Sequence, residues 1–241
     1  MGGFWLELLG LLTAGGMFAW SWRLDGMRLS AWVFPVQVSA TVLLTLVLIR
    51  LAALEPFEGI GPSMQPTFPE HSKVLVNKSA YGWRLPGGWW VWRRATPLPG
   101  QVVVLEGRNA RSQSEYLLKR VIAVGGDEVR IEGDHLFVNG EALEASPDPS
   151  PLPANAGLVA WSAQVLGHPH KVFLKAGQHP RSSEVVTWKV HPGYVFVLGD
   201  NRAYSYDSRD FGPVAEKKVL GQVVGVWKDG RLAAVDGPVF P

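Results

Sequence analysis

With 241 residues, 47% of them hydrophobic, the chain has room for one ordinary domain and for apolar mass beyond a single soluble core. Its 23 basic and 21 acidic residues leave a formal net charge of +2, scattered rather than gathered into a stripe, which excludes nucleic acid as a partner. There is no cysteine, so disulfides, thiolate metal sites and a cysteine nucleophile are excluded as well.

The first predicted elements are two apolar runs. Phe4 to Trp22 is 19 residues interrupted only by Glu7, and Ala31 to Ile49 carries no charge. Each is close to the ~20 residues that cross a bilayer, and Trp5, Trp20, Trp22 and Trp32 lie near their ends, where amphipathic rings favour the headgroup zone. Two transmembrane helices are expected, at about 4–22 and 31–49. The start, Met1-Gly2-Gly3-Phe4, lacks the positive region of a cleaved signal peptide. Arg23 and Arg28 make the short connection a cytoplasmic loop under the positive-inside rule, although Arg50 weakens the asymmetry. Residues 1–53 are thus read as a membrane anchor and residues 54–241 as an extracytoplasmic domain.

From Leu54 on, β-branched runs alternate with Gly and Pro, which predicts strands at Lys73–Val76, Gln101–Leu105 and Tyr116–Val124. Asp127–Ile131, a Gly133-Asp134 turn and His135–Val138 before Asn139-Gly140 form a hairpin meander. Further strands are expected at Lys171–Leu174, Glu184–Val190, Tyr194–Leu198 and Gly221–Trp227. No long helical pattern follows the anchor, so the fold class is mainly β, an antiparallel sheet domain preceded by two helices. Pro147, Pro149, Pro151 and Pro153 mark 145–157 as a surface excursion inside a variable insertion at about 140–190. Residues 82–99 hold Trp83, Trp89, Trp90 and Trp92 and read as a loop, either core filling or a rim that dips into the membrane surface.

Three segments could carry chemistry. In Gly61-Pro62-Ser63-Met64-Gln65-Pro66-Thr67, prolines and glycine fix an irregular backbone around one hydroxyl, although a lone serine is usually only a turn residue. In Tyr116–Ile122, strand alternation puts Lys119 on the apolar face of Leu117 and Val121. Desolvation there would lower its pKa from about 10.4 towards the 7–8 that suits a general base; the alternative is a lysine that snorkels to water. Gly199 to Gly212 is a dense polar loop. Asp200, Asn201, Asp207 and Asp210 could bind a cation, but the interleaved Arg202 and Arg209 favour an ion-paired structural loop.

In these three segments the chain resembles the type I signal peptidases. Ser63-Met64-Gln65-Pro66-Thr67 is similar to their nucleophile box, Lys119-Arg120-Val121-Ile122 to their lysine box, and Gly199-Asp200-Asn201-Arg202 with Ser205, Asp207-Ser208-Arg209 and Gly212 to their C-terminal signature. The resemblance implies a Ser/Lys dyad with Ser63 as nucleophile and neutral Lys119 as base. It further implies that Ser205 orients the Lys119 amine, that Asp207 and Arg209 form a structural ion pair, that Met64 supports the nucleophile box, and that the Ser63 N–H lies in the oxyanion hole. Some members place a hydroxyl two residues before the nucleophile; here that position is Gly61, and Pro62 has no N–H to offer. Ala203 and Tyr204 also replace polar residues common in the last box.

The implied function is removal of N-terminal signal peptides from exported preproteins at the outer face of a bacterial cytoplasmic membrane. The partners are then preproteins and the lipid bilayer, and neither cofactor nor metal is needed. The competing readings are a specialised relative that matures a single partner such as a pilin, and a catalytically silent membrane-tethered β-module. The six histidines, His71, His135, His168, His170, His179 and His191, receive no catalytic role, and His168 with His170 lacks the further ligands of a metal site.

Overall fold

The computed structural model describes residues 33–59, 61–84, 90–93, 95–108, 113–133, 135–148, 157–175, 185–228 and 230–235. The expected span at 4–22, the arginine loop after it, Trp5, Trp20, Trp22, Trp32, Trp89, Asp134, Pro149, Pro151, Pro153 and His179 lie outside those residues. The chain divides into two compact units, Met1–Leu54 and Glu55–Pro241.

In the first unit, helix α1 runs from Val33 to Ala52. Its polar side chains bond back along the helix: Ser39 Oγ donates to Val36 O, Thr41 Oγ1 to Gln37 O and Thr45 Oγ1 to Thr41 O, at 2.8–2.9 Å. Val36, Val42, Leu43 and Leu44 are exposed. Among the described residues no helix is long and apolar enough to cross a membrane, so the span expected at 31–49 is not shown.

The second unit is mainly antiparallel β. Its largest sheet has the order β1(Leu54–Glu58), β2(Lys73–Asn77), β16(Val219–Lys228), β5(Val102–Arg108), β6(Ser114–Val124), β14(Tyr194–Leu198), β15(Val214–Ala215), with β17(Arg231–Ala234) also on β16. A second sheet orders β13(Val185–Lys189), β7(Glu128–Glu132), β8(His135–Val138) and β9(Glu141–Ala142). A third joins β10(Glu144–Pro147), β11(Leu158–Val165) and β12(His168–Lys175). The only described helices after α1 are α2(Ser208–Phe211) and a 3-10 turn at Glu216–Lys218.

Two expected loops prove to contain paired strands. β3(Gly82–Arg84) and β4(Trp90–Arg93) form a hairpin within 82–99, with Trp83 opposite Trp92 and Trp92 exposed. Part of the proline-rich excursion is β10, where Pro147 pairs with Trp161 of β11. β10 and β12 are the edges of their sheet, where a proline's missing donor costs no ladder bond, and Pro169 in β12 is tolerated for the same reason.

The strand period of two sorts the core. Val103, Leu105, Leu117 and Val121 pack with Tyr81, Val195, Val197, Val214 and Val219 on one face of the large sheet. Val102, Val104 and Leu118 turn to the other face, against Met64, Phe68, Val74, Val76 and Val223. β5 and β6 each serve both cores, so the middle of β6 has little freedom to shift.

Candidate active site

Lys119 occupies β6 between Leu117 and Val121 and opposite Val103, on the face that alternation assigns it, and is 2% exposed. Burial brings its pKa down from 10.5 to about 8; the Asp207 carboxylate is the largest opposing influence, followed by Glu115. The amine donates to Ser63 Oγ at 2.9 Å. A buried lysine with a weakened proton is thus in hydrogen-bond contact with one serine hydroxyl, the spacing that proton transfer requires.

Ser63 reaches this position from a compact loop. Gln65 N–H donates to Pro62 O at 3.1 Å and Phe68 N–H to Met64 O at 3.0 Å, while the Met64 and Phe68 side chains, 2% and 3% exposed, anchor the loop in the core below the sheet. Gly61 has φ +91°, a conformation that favours glycine, and space is open where a side chain would be. Ser63 and Lys119 line a cleft whose walls include Phe57, Tyr116, Tyr206 and Phe211. Two edge-on ring pairs stiffen them, Phe57 with Tyr116 and Tyr206 with Phe211.

The polar loop 199–207 closes the other side. Asn201 N–H donates to Ser63 O at 3.0 Å. Gly199 lies so close to Ser63 O and to the Ser205 side chain that a β-carbon there would run into both. Asp207 accepts from Gly199 N–H at 3.0 Å, from Arg209 Nε at 2.8 Å and from Arg209 Nη2 at 2.9 Å, and caps α2 by accepting from Arg209 N–H. Burial would raise the Asp207 pKa, but Arg209, Gly199 N–H and the Ser205 hydroxyl together hold it below the usual carboxylate range. Ser205 is 2% exposed and stands beside this carboxylate and Gly199.

Residues 31–228 match the family described as signal peptidase, peptidase S26. The chain belongs to that family. It is 32% identical to a "Signal peptidase I" of Pseudomonas fluorescens over 198 residues, 77% of this chain and 69% of that one. It is 31% identical to "Signal peptidase I V" of Bacillus subtilis (strain 168) over 163 residues, 68% of this chain and 79% of that one. A crystal structure of a signal peptidase I from Enterococcus faecalis V583 covers 54% of this chain and 97% of its own at 24% identity, with a TM-score of 0.31. Like the rest of the S26 peptidases, the chain is a serine endopeptidase, a hydrolase of peptide bonds.

One part of this S26 site was not foreseen from the sequence. Arg120, on the opposite face of β6 from Lys119, clamps Asp200 through Nε to Oδ1 at 2.9 Å and Nη2 to Oδ2 at 2.7 Å, and donates from Nη1 to Gly100 O at 2.9 Å. The Thr67 hydroxyl also donates to Asp200 Oδ2. In sequence Asp200 sits among the interleaved Arg202 and Arg209. Instead Arg202 Nε donates to Gly199 O at 3.1 Å, and Arg209 serves Asp207 and the Arg202 carbonyl. Burial would raise the Asp200 pKa, yet Arg120 and Thr67 hold it down. The signal for this pair was Arg120 itself, because an arginine adjoining a buried strand position must find a partner. Among the described residues no cluster of His, Asp and Glu could hold a metal ion.

Proposed function

We propose that this chain removes N-terminal signal peptides from exported preproteins, with Ser63 as nucleophile and Lys119 as general base. The observation that carries the reading is the 2.9 Å contact between a 2%-exposed lysine amine and the Ser63 hydroxyl. In its neutral form the amine accepts the Ser63 proton as Oγ attacks the scissile carbonyl, then returns it to the leaving amine. The acyl-enzyme is released by a water that Lys119 deprotonates in turn. Ser205 orients the amine, and Asp207 with Arg209 holds the loop that carries Ser205.

For the oxyanion, a backbone donor takes the place of the absent side chain at position 61. The Ser63 N–H donates to no backbone carbonyl among the described residues, which supports it in that role. Gly61, at φ +91°, lets the chain turn into Ser63 without a side chain in the way of the substrate. The uncharged run 31–49 supports a membrane anchor, and the arginines at 23 and 28 support a cytoplasmic loop before it. The peptidase domain would then work at the outer face of the cytoplasmic membrane, beside the bilayer that presents the substrate.

The test uses the full chain in detergent with a preprotein bearing an Ala-X-Ala site. Wild type should cleave at that site, and Ser63→Ala and Lys119→Ala should not. Cleavage by Ser63→Ala at the wild-type rate sinks the assignment.

A further inference from the structure

The insertion that carries least sequence pattern reaches the active-site loop. β12 lies against residues 200–203: Phe173 N–H donates to Asp200 O at 2.9 Å, Phe173 forms a parallel bridge with Asn201, and Ala203 packs on Leu158, Ala160 and Phe173. On the same strand, His170 has a side chain 6% exposed, with Nε2 4.0 Å from Asp200 Oδ1. Among the described residues its ring nitrogens have no hydrogen bond of good geometry, the His168 backbone being the one hydrogen-bonding influence on the ring. Burying a ring with so little hydrogen bonding is costly, so its place beside Asp200 calls for an account.

We propose that His170 is a positioning residue for the Ser63–Lys119 pair: its buried ring bounds the Asp200 carboxylate on the side that Arg120 and Thr67 leave open, and so holds the loop that grips Ser63. The inference rests on the dyad reading above. Both carboxylate oxygens are committed to Arg120, with Thr67 on the second, and Asp200 is 1% exposed. The next residue, Asn201, donates its N–H to the Ser63 carbonyl. A displaced Asp200 therefore moves the nucleophile's backbone from one side and Arg120, the chain neighbour of Lys119, from the other.

The charged groups that act on His170 are Asp200, Arg120 and Arg202, and burial, the largest influence, keeps the ring neutral by lowering its pKa to about 4. A cation at this position would compete with Arg120 for Asp200 Oδ1. An empty space would let the carboxylate swing towards β12.

The experiment measures kcat and KM of the full detergent-solubilised chain on the Ala-X-Ala preprotein for wild type, His170→Ala, His170→Phe, His170→Lys and Ser63→Ala. We expect kcat to fall about tenfold or more in His170→Ala and His170→Lys with KM within about threefold, and His170→Phe to restore most of the loss. His170→Lys is the variant most apt to fail to fold; the Ala and Phe pair decides the matter without it. The proposal is overturned if His170→Ala keeps wild-type kcat, if its loss is all in KM, or if His170→Phe is as slow as His170→Ala. Residual activity in Ser63→Ala counts against the dyad itself, whereas an inactive Ser63→Ala beside a fully active His170→Ala counts against His170 alone.

Discussion

Arg120 holds both oxygens of Asp200, at 2.9 and 2.7 Å, and with that grip ties the strand that bears Lys119 to the loop that bonds Ser63. The pair is buried, with side chains 3% and 1% exposed. Removing one partner leaves an uncompensated charge, which costs about 3–5 kcal/mol in such settings. Asp200→Ala should lose stability on that scale in denaturant unfolding of the solubilised chain. A loss near zero would show that the clamp does not stabilise the fold.

The rate should titrate with Lys119. Its ammonium has a pKa of about 8, so only about a tenth of the enzyme holds the neutral base at pH 7. kcat should rise about tenfold per pH unit below 8 and level off above it, and Lys119→Arg, charged at every accessible pH, should be inactive. A flat profile from pH 6 to 9 contradicts lysine as the base.

Asp207 shifts that profile in a known direction. Its carboxylate is the largest influence raising the Lys119 pKa against burial. Asp207→Asn keeps an acceptor for the cap of α2 but removes the charge, so the midpoint of the acid limb should move to lower pH. Because Arg209 loses this carboxylate, overall stability should fall as well, which thermal unfolding in detergent will register. A midpoint that moves upward is the result that contradicts the electrostatic account.

Gly199 should tolerate no side chain. A β-carbon would meet the Ser63 carbonyl, which the Asn201 N–H and the strand behind it keep from retreating. Gly199→Ala should lower kcat by about a hundredfold or more, since displacement of the nucleophile by an ångström is enough for that. Gly61→Ala meets no atom and suffers only from its positive φ, so it should lose about 1–2 kcal/mol of loop stability and far less rate. Equal losses in the two variants would refute the distinction.

Much of this was legible because local pattern decides it. His135–Val138 and Tyr194–Leu198 are strands with the expected bounds, and alternation along β6 placed Lys119 among Leu117 and Val121. The 2.9 Å contact to Ser63 could not be read from either segment, because nothing local in a Pro-rich turn says which strand it folds over. The same holds for Arg120 with Asp200, whose partners are far apart in sequence. The hairpins β3–β4 and β10–β11 were hidden by Gly, Pro and Trp, residues that suit edges and turns and so leave no alternation to count. His170 has no ligand spacing to single it out in the sequence, and its position follows from the lie of β12 against Asp200.

The carboxylates of Asp200 and Asp207 are both held below their ordinary values, so the support they give the fold is complete above about pH 4 and is lost only as acidity passes their lowered values. Lys119 adds little dependence below about pH 7, where folded and unfolded chains both largely carry its proton, whereas His170, neutral in the fold with its pKa lowered to about 4, costs stability once the pH falls below about 6.5 and the unfolded chain takes up a proton there. Between about pH 6.5 and 8, therefore, acid silences this peptidase without loosening it. An enzyme inhibited at pH 6.5 should regain its pH 8 rate within the mixing time of a jump to pH 8, with no refolding phase, because the one change was a proton gained by Lys119.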